Sequence, residues 1–143
     1  MKRFDFPLER VRRWRLEQQN LEELKLQQLR AEKEGLSAGR RQIQAELDQT
    51  AQLLLAQPSL ESLELQSLDS FRLYVRGRVR DLDQRERECE SKIVEQRGRL
   101  LEARRQFELL DRLRKTAFGT WRAAVDKEYE DLAAELFLAR KYR

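Results

Sequence analysis

The chemistry available to this chain rests on arginines and carboxylates, because the sequence has no histidine and a single cysteine, Cys89. Zinc and iron–sulfur sites draw their usual ligands from those two residue types. Carboxylates could act in acid–base catalysis, but that role needs an enclosed pocket that shifts a pKa and excludes water. The sequence carries no phosphate-binding loop and no nucleophile elbow. We therefore expect a protein with no enzymatic activity, no cofactor and no metal.

A basic cluster with an aromatic ring inside it, RVRRWR, occupies residues 10–15. Nucleic-acid grooves combine cations and rings in this way. The formal net charge is only +4, however, and Glu9 and Glu17 lie close to the cluster. Mixed charge along a helix is more often a solvated face whose side chains pair at a spacing of four residues. We favour that interpretation, with protein docking second and nucleic-acid binding third.

Helices are the elements that must position these side chains. The strong helix formers Leu, Glu, Gln, Arg and Ala dominate the 143 residues, of which 39% are charged. No segment alternates with the period of a strand. Pro58 lies in AQPSLES, the one segment that interrupts the helical pattern. The sequence predicts an all-α fold, a single elongated coiled-coil domain over residues 1–143.

The two predicted helices cover about residues 7–56 and about residues 60–141, and they form an antiparallel coiled-coil hairpin with the turn near Pro58. Pro7 suits the first turn of helix one. Ser59 or Ser62 can cap helix two. For residues 60–70 two predictions remain, namely a short separate helix and a bent first part of the second helix.

A heptad pattern of apolar residues follows the second helix and predicts a coiled-coil seam. Two successive steps of four near Trp121 make a stutter, which locally unwinds a supercoil. The first helix keeps heptad spacing over its later part and drifts in phase nearer its start. Seam positions in helix two include Leu68, Val75, Leu82, Cys89, Ile93, Leu100, Phe107, Leu110 and Trp121, with Arg72, Glu86, Gln96 and Arg114 as polar exceptions; those in helix one are Leu29, Leu36, Ile43, Leu47 and Leu54, and the drifting residues are Leu8, Val11, Trp14, Leu21 and Leu24.

Folding the chain back at Pro58 pairs positions whose residue numbers add to about 117. This register places Ile43 near Val75 and Leu29 near Cys89, and it brings Phe4 and Phe6 toward residues 107–121. About the last twenty residues then extend beyond their partner, so part of a terminal aromatic stripe has nothing in its own chain to cover it. Exposed apolar strips of this kind mark binding surfaces.

A second apolar group lies in the segment SFRLYVRGRV, residues 70–79. Phe71 and Val75 fit the seam, whereas Leu73 and Tyr74 point elsewhere. Two explanations stay open, namely a wider three-helix contact and a partner site. Cys89 falls on the seam, where we expect a small buried hydrophobe. No apolar run reaches the roughly 18 residues that span a bilayer, and the lone cysteine agrees with a reducing compartment such as a cytoplasm.

Three segments are similar to one known family. RFDFPLERV, residues 3–11, resembles the N-terminal signature of the FliJ family, the small coiled-coil proteins of the bacterial flagellar export apparatus. Residues 68–79 and residues 104–135 are similar to later parts of the same family, so the resemblance covers nearly the whole chain. The chain departs from the family pattern at Arg12, where many members have leucine, and after Leu132, where many have a Leu-Asp-Glu motif.

The resemblance implies a stalk protein that docks into the ring of the flagellar export ATPase hexamer and links it to the cytoplasmic domain of the export gate. It also implies binding and escort of export chaperones, and a cytoplasmic location at the cytoplasmic face of the inner membrane, reached only through partners. The mixed charge of the chain leads us to expect no nucleic-acid partner. The candidates for ring docking are Phe4, Phe6, Leu8, Phe118, Trp121 and Phe137, and those for gate docking are Phe71, Tyr74, Val75 and Arg78.

Two alternatives stay open beside that reading. The first is the equivalent stalk protein of a virulence-type III secretion system. The second is a passive homodimeric coiled-coil spacer, in which the uncovered stripe pairs with its copy in a second chain.

Overall fold

The computed structural model describes residues 2–59 and 61–143 and contains two helices over that range. Helix α1 is Glu9–Leu55 and helix α2 is Ser62–Lys141. No strand occurs among the described residues. The predicted all-α fold of two long helices packed against each other is therefore confirmed. The predicted start of helix two at about residue 60 falls on Leu60, which lies outside the described residues.

Backbone hydrogen bonds define where the helices begin. Phe6 O accepts a hydrogen bond from Glu9 N at 3.1 Å, so Pro7 lies in the turn that leads into α1. At the start of α2, Glu61 O accepts from Leu65 N at 3.3 Å. The N-cap residue of α2 is thus Glu61, and neither Ser59 nor Ser62, the two serines expected in this position, is the cap. Since α2 is continuous from Ser62, the separate short helix does not form.

Residue contacts divide the chain into two compact units. The turn unit is Glu23–Arg99, and the chain-end unit contains the chain up to Glu22 together with Leu100–Arg143. In both units α1 and α2 run antiparallel. In the turn unit, Cys89 Sγ donates to Leu29 O at 3.3 Å and Arg40 pairs with Asp83 at 3.0 Å. In the chain-end unit, Arg12 pairs with Asp111 at 3.0 Å.

The core of the turn unit follows the heptad pattern. Val75 and Ile93 are the most deeply buried side chains, with 1% and 2% of their surface exposed. Gln96 is also buried in the seam and has a bonding partner. A polar residue at a seam position favours one register over its neighbours. The other buried apolar residues of this unit are Leu26, Leu68, Leu82 and Cys89.

The register of the turn unit agrees with the prediction. Leu29 and Cys89 are in contact, and their residue numbers add to 118, against about 117 expected. The ion pairs Lys33–Glu90 and Arg40–Asp83 each add to 123. Both follow from the same register, because Lys33 and Arg40 interrupt the heptad seam of α1 four positions after a seam leucine, and Glu90 and Asp83 each come one position after a buried residue of α2.

Cysteines introduced at Ile43 and Val75 are expected to crosslink within one chain. The two positions share a layer in the observed register, since their numbers also add to 118. Cys89→Ser serves as the background, because it removes the native thiol. Oxidation or a short bifunctional reagent, followed by denaturing electrophoresis, should give a compact monomer. Crosslinks formed only between chains would contradict the register.

Candidate protein-binding surfaces

Three aromatic rings form a cluster in the chain-end unit. Phe4 lies edge-to-face with Phe118, with ring centroids 5.2 Å apart, and 5.7 Å from Trp121. Phe118 and Trp121 are 5.6 Å apart, and Trp121 Nε1 donates a hydrogen bond to Lys2 O at 3.0 Å. Each aromatic pair in this distance range contributes about 0.5–1.5 kcal/mol of stability beyond the contribution of the buried area. The cluster attaches residues 2–6 to α2, as the register predicts for Phe4.

The ring-docking candidates differ in how accessible they are. Phe6 belongs to the core, with 8% of its surface exposed, so it is not available to a partner in this conformation. Trp121 and Phe4 are half-buried against each other, whereas Leu8 and Phe118 are exposed. Phe137 lies 16 positions beyond Trp121 along α2 and is 67% exposed. The structure thus brings Phe4, Phe118 and Trp121 together and leaves Phe137 apart from them.

The start of α1 turns a polar face toward α2. Arg12 donates to Asp111 Oδ1 through Nε at 3.1 Å and through Nη2 at 3.0 Å, and its guanidinium lies 5.3 Å from the centroid of the Phe107 ring. Arg15 donates to Gln106 Oε1. Charge-assisted bonds to partly buried carboxylates are stronger than bonds between neutral groups. Charged and amide side chains therefore share the inner face at this end of the pair with apolar ones, among them the buried Phe6 and Leu100.

Several apolar residues of the same stretch face away from α2, whereas Leu16 is half-buried. Val11, Trp14 and Leu21 are all exposed, and Trp14 has the Arg15 guanidinium 4.7 Å from its ring centroid. They recur every three or seven residues, which places them on one stripe of α1. Exposed leucines occur on α2 in this unit as well, at Leu101, Leu109 and Leu113. This end of the helix pair thus has charged and apolar side chains together on its inner face, and it also carries apolar side chains on its outer faces.

The basic cluster at residues 10–15 is largely satisfied by its own chain. Arg12 and Arg13 both pair with Glu9, at 3.1 Å and 3.3 Å, in addition to the bond from Arg12 to Asp111. These contacts agree with the interpretation of the cluster as a face of mixed charge.

The last part of α2 forms an exposed arm, defined here as residues 126–143. Every residue of the arm is exposed to solvent. It continues the seam through Tyr129, Leu132 and Leu136, all of which lie more than half in solvent. The sequence predicts that the terminal part of helix two has no cover in its own chain, and the exposure of the arm agrees with that expectation.

The gate-docking candidates lie in the turn unit. The rings of Phe71 and Tyr74 are stacked with centroids 6.5 Å apart. Val75 is buried in the seam, whereas Leu73, Tyr74 and Arg78 are exposed. No third helix covers Leu73 or Tyr74 within the part of the chain that the structure describes. Of the two explanations for these residues, the partner site is the one that the exposed side chains favour.

Two carboxyl groups at the helix interface have lowered pKa values. The pKa of Asp111 is lowered by hydrogen bonds, first from Lys115 and then from Arg12. The pKa of Glu90 is lowered mainly by its hydrogen bond with Lys33. By contrast, burial raises the pKa of the Cys89 thiol, and the nearby Glu32 carboxylate acts in the same direction. Cys89 is therefore held as a neutral thiol in the seam, which gives it little nucleophilic character.

Replacement of Asp111 by asparagine is expected to destabilise the protein at neutral pH but not in acid. A carboxyl whose folded pKa is lowered contributes stability above its unfolded pKa, near 3.8, and that contribution is lost as the pH falls through the lower folded value. Thermal unfolding of wild type and Asp111→Asn should therefore converge as the pH falls below about 4. Glu108→Gln, at an exposed position, is the control and should show no such convergence.

Sequence reasoning missed the outward direction of the stripe on α1. The one available signal was Arg12, a charged residue at a position where the similar family often has leucine. A basic residue there suits an inner face lined by acids, and it leaves Val11 and Trp14 on the outside.

Comparison with family models, with curated proteins and with solved structures gave no match. No described helix is both long enough and apolar enough to cross a membrane. Within residues 2–59 and 61–143, no group of three or more His, Cys, Asp or Glu side chains is arranged to hold a metal ion. Fold and surfaces together define the chain as an all-helical protein with coiled-coil-like packing and uncovered apolar faces.

Proposed function

We propose that the chain is a non-enzymatic stalk protein of the flagellar type III export apparatus, a member of the FliJ family. It docks its chain-end unit into the ring of the export ATPase and contacts the export gate through its turn unit. It also escorts export chaperones. In this proposal it works in the cytoplasm and reaches the inner membrane only through its partners.

The observation that carries the proposal is the arrangement of apolar side chains in the chain-end unit. Val11, Trp14 and Leu21 on α1, and Leu101 and Leu109 on α2, are exposed, while ion pairs such as Arg12–Asp111 and Arg114–Glu9 occupy part of the interface between the helices. Apolar surface of this kind is normally covered by a partner. A partner that reaches both helices must contact the pair on more than one side, and the lumen of a protein ring offers such a surface.

The exposed arm adds a second apolar surface in the same unit. Leu132, Leu136 and Phe137 can enter hydrophobic sites on ring subunits without any change in the fold, because they are already in solvent. The candidate gate surface has a similar character. Tyr74 and Arg78 are exposed beside the stacked Phe71 ring, and aromatic residues and arginines carry much of the energy at protein interfaces.

Co-purification of the full chain with a flagellar export ATPase, and ATP turnover measured with and without the chain, test the proposal. We expect a complex and a rise in turnover. A chain that neither binds the ATPase nor changes its turnover would contradict the stalk function and would leave the homodimeric spacer. The same assay with the ATPase of a virulence-type secretion system separates the two export systems, since the proposal requires stronger stimulation of the flagellar enzyme.

A further inference from the structure

One outer face of α2 has a pattern that is complementary to itself. Its positions follow at spacings of three and four residues through the chain-end unit, and all of them are exposed. The face lies away from the seam with α1, because the buried Leu100 and the half-buried Phe107 and Leu110 are on the other side of the helix. It consists of Leu101, Arg105, Leu109, Arg112, Thr116, Gly119, Ala123, Asp126, Glu130, Ala134 and Phe137.

The charges on this face change sign at Gly119. Arg105 and Arg112 precede it, and Asp126 and Glu130 follow it. Arg112, Asp126 and Glu130 have no ion-pair partner among the residues that the structure describes. The order is basic before the centre and acidic after it, so a second copy of the same helix, running antiparallel, would place each basic half against an acidic half.

The apolar ends of the face and its inner pair of charges are placed symmetrically about Gly119. Leu101 and Phe137 both lie 18 positions from Gly119, and Arg112 and Asp126 both lie seven positions from it. In an antiparallel pair centred on Gly119, Leu101 meets the Phe137 of the other copy and Arg112 meets its Asp126. Two copies related by a twofold axis present the same patch to each other, and such a patch must be complementary to itself.

Gly119 has no role inside its own chain that requires a glycine. A Cβ atom added to it would meet no heavy atom within 4 Å among the described residues. Glycine inside a helix is destabilising relative to alanine. On a twofold axis, in contrast, it lets two helix backbones approach closely, and Thr116 and Ala123 on either side are small as well. Glu108, at the edge of the face, would lie opposite Glu130 of the other copy. Arg105 and Arg112 are the neighbours of Glu108 on its own helix.

We propose that this face of α2, centred on Gly119, is the interface of an antiparallel homodimer. The partner is a second copy of this chain, identified by the charge pattern and the matched apolar ends. The dimer differs from the spacer alternative, which uses the seam stripe through Tyr129 and Leu132. It does not rest on the proposed stalk function, and its test contains no ATPase. Because Leu101, Leu109 and Phe137 lie in this interface, the dimer covers part of the apolar surface that the stalk proposal assigns to the ring.

Sedimentation equilibrium of the full chain, from micromolar to millimolar concentration, tests the proposal. We expect a monomer–dimer equilibrium that weakens with salt. Arg112→Glu and Asp126→Arg should each raise the dimer dissociation constant about tenfold at low ionic strength, because each places two like-charged pairs in the interface. The double variant should restore the wild-type value, since the charges are then exchanged. A double variant as weak as the single ones would overturn the antiparallel register.

Gly119→Leu provides a test that cannot be confused with unfolding. The open space around Gly119 accepts the side chain in the monomer, and helical circular dichroism should stay the same or rise. Dimerisation should be abolished, because two leucines would meet on the axis. Gly77→Leu, at an exposed α2 glycine of the turn unit with equal open space, is the matched control and should dimerise normally. A wild type that stays monomeric at millimolar concentration, or a Gly119→Leu variant that dimerises like wild type, would refute the interface.

Discussion

Replacement of Ile93 by alanine should lower the free energy of unfolding by about 2–5 kcal/mol. Ile93 is 2% exposed in the seam of the turn unit, so its deletion removes buried methyl groups and leaves a cavity between the helices. The loss is a large part of the total stability of a chain of this size, which is typically about 5–15 kcal/mol. Urea unfolding followed by helical circular dichroism measures it.

Val94→Ala is the matched control for this experiment. Val94 follows Ile93 directly in the sequence, yet it is 60% exposed and lies outside the seam. Its replacement should change the free energy of unfolding by no more than about 0.5 kcal/mol, and alanine also has the higher helix propensity. Equal losses in the two variants would show that the seam does not separate these positions and would contradict the packing of α2.

Paired substitution of Leu132 and Leu136 by glutamate should abolish stimulation of the export ATPase. Both side chains are exposed on the arm, so the substitutions leave the fold intact while they place two charges on the surface proposed to enter the ring. Loss of central apolar anchors costs about 2 kcal/mol or more in binding, which corresponds to roughly a thirtyfold loss of affinity. Turnover and co-purification with the ATPase measure the effect, and urea unfolding should match wild type.

Lys127→Glu is the control for charge, because it changes the net charge by the same two units on a face of the arm away from Leu132. It should retain stimulation. Trp121→Ala is a less specific test, since Trp121 also contacts Phe4 and donates to Lys2 O. If Leu132→Glu with Leu136→Glu stimulates the ATPase as wild type does, the arm is not the docking surface.

The seam and its register could be predicted because the information is local and repetitive. Heptad spacing placed Val75, Cys89 and Ile93 in the core, and all three are buried. A single interruption at Pro58 fixed the turn, and from the turn alone the Leu29–Cys89 contact followed. In a helical hairpin the register is set by one short connection, so a correct turn fixes every layer that follows it.

The faces of the chain-end unit could not be predicted in the same way. An apolar residue on a helix is stabilised by any apolar surface that buries it. The sequence does not say whether that surface belongs to the same chain or to another molecule. Trp14 and Leu21 are apolar but exposed, whereas Arg12 lies toward α2 because Asp111 and the Phe107 ring hold its guanidinium. Long-range pairs of this kind, 99 positions apart in the sequence, leave no periodic signal.

Because Trp121 donates a hydrogen bond to Lys2 O, its fluorescence depends on whether the N-terminal residues are attached to α2. The chain has two tryptophans, and Trp14→Phe would leave Trp121 as the single indole fluorophore. Its emission would report the detachment of residues 2–6, because that event breaks its hydrogen bond and removes the Phe4 ring from its side. Engagement of the chain ends by any other molecule could then be followed in solution without a dye.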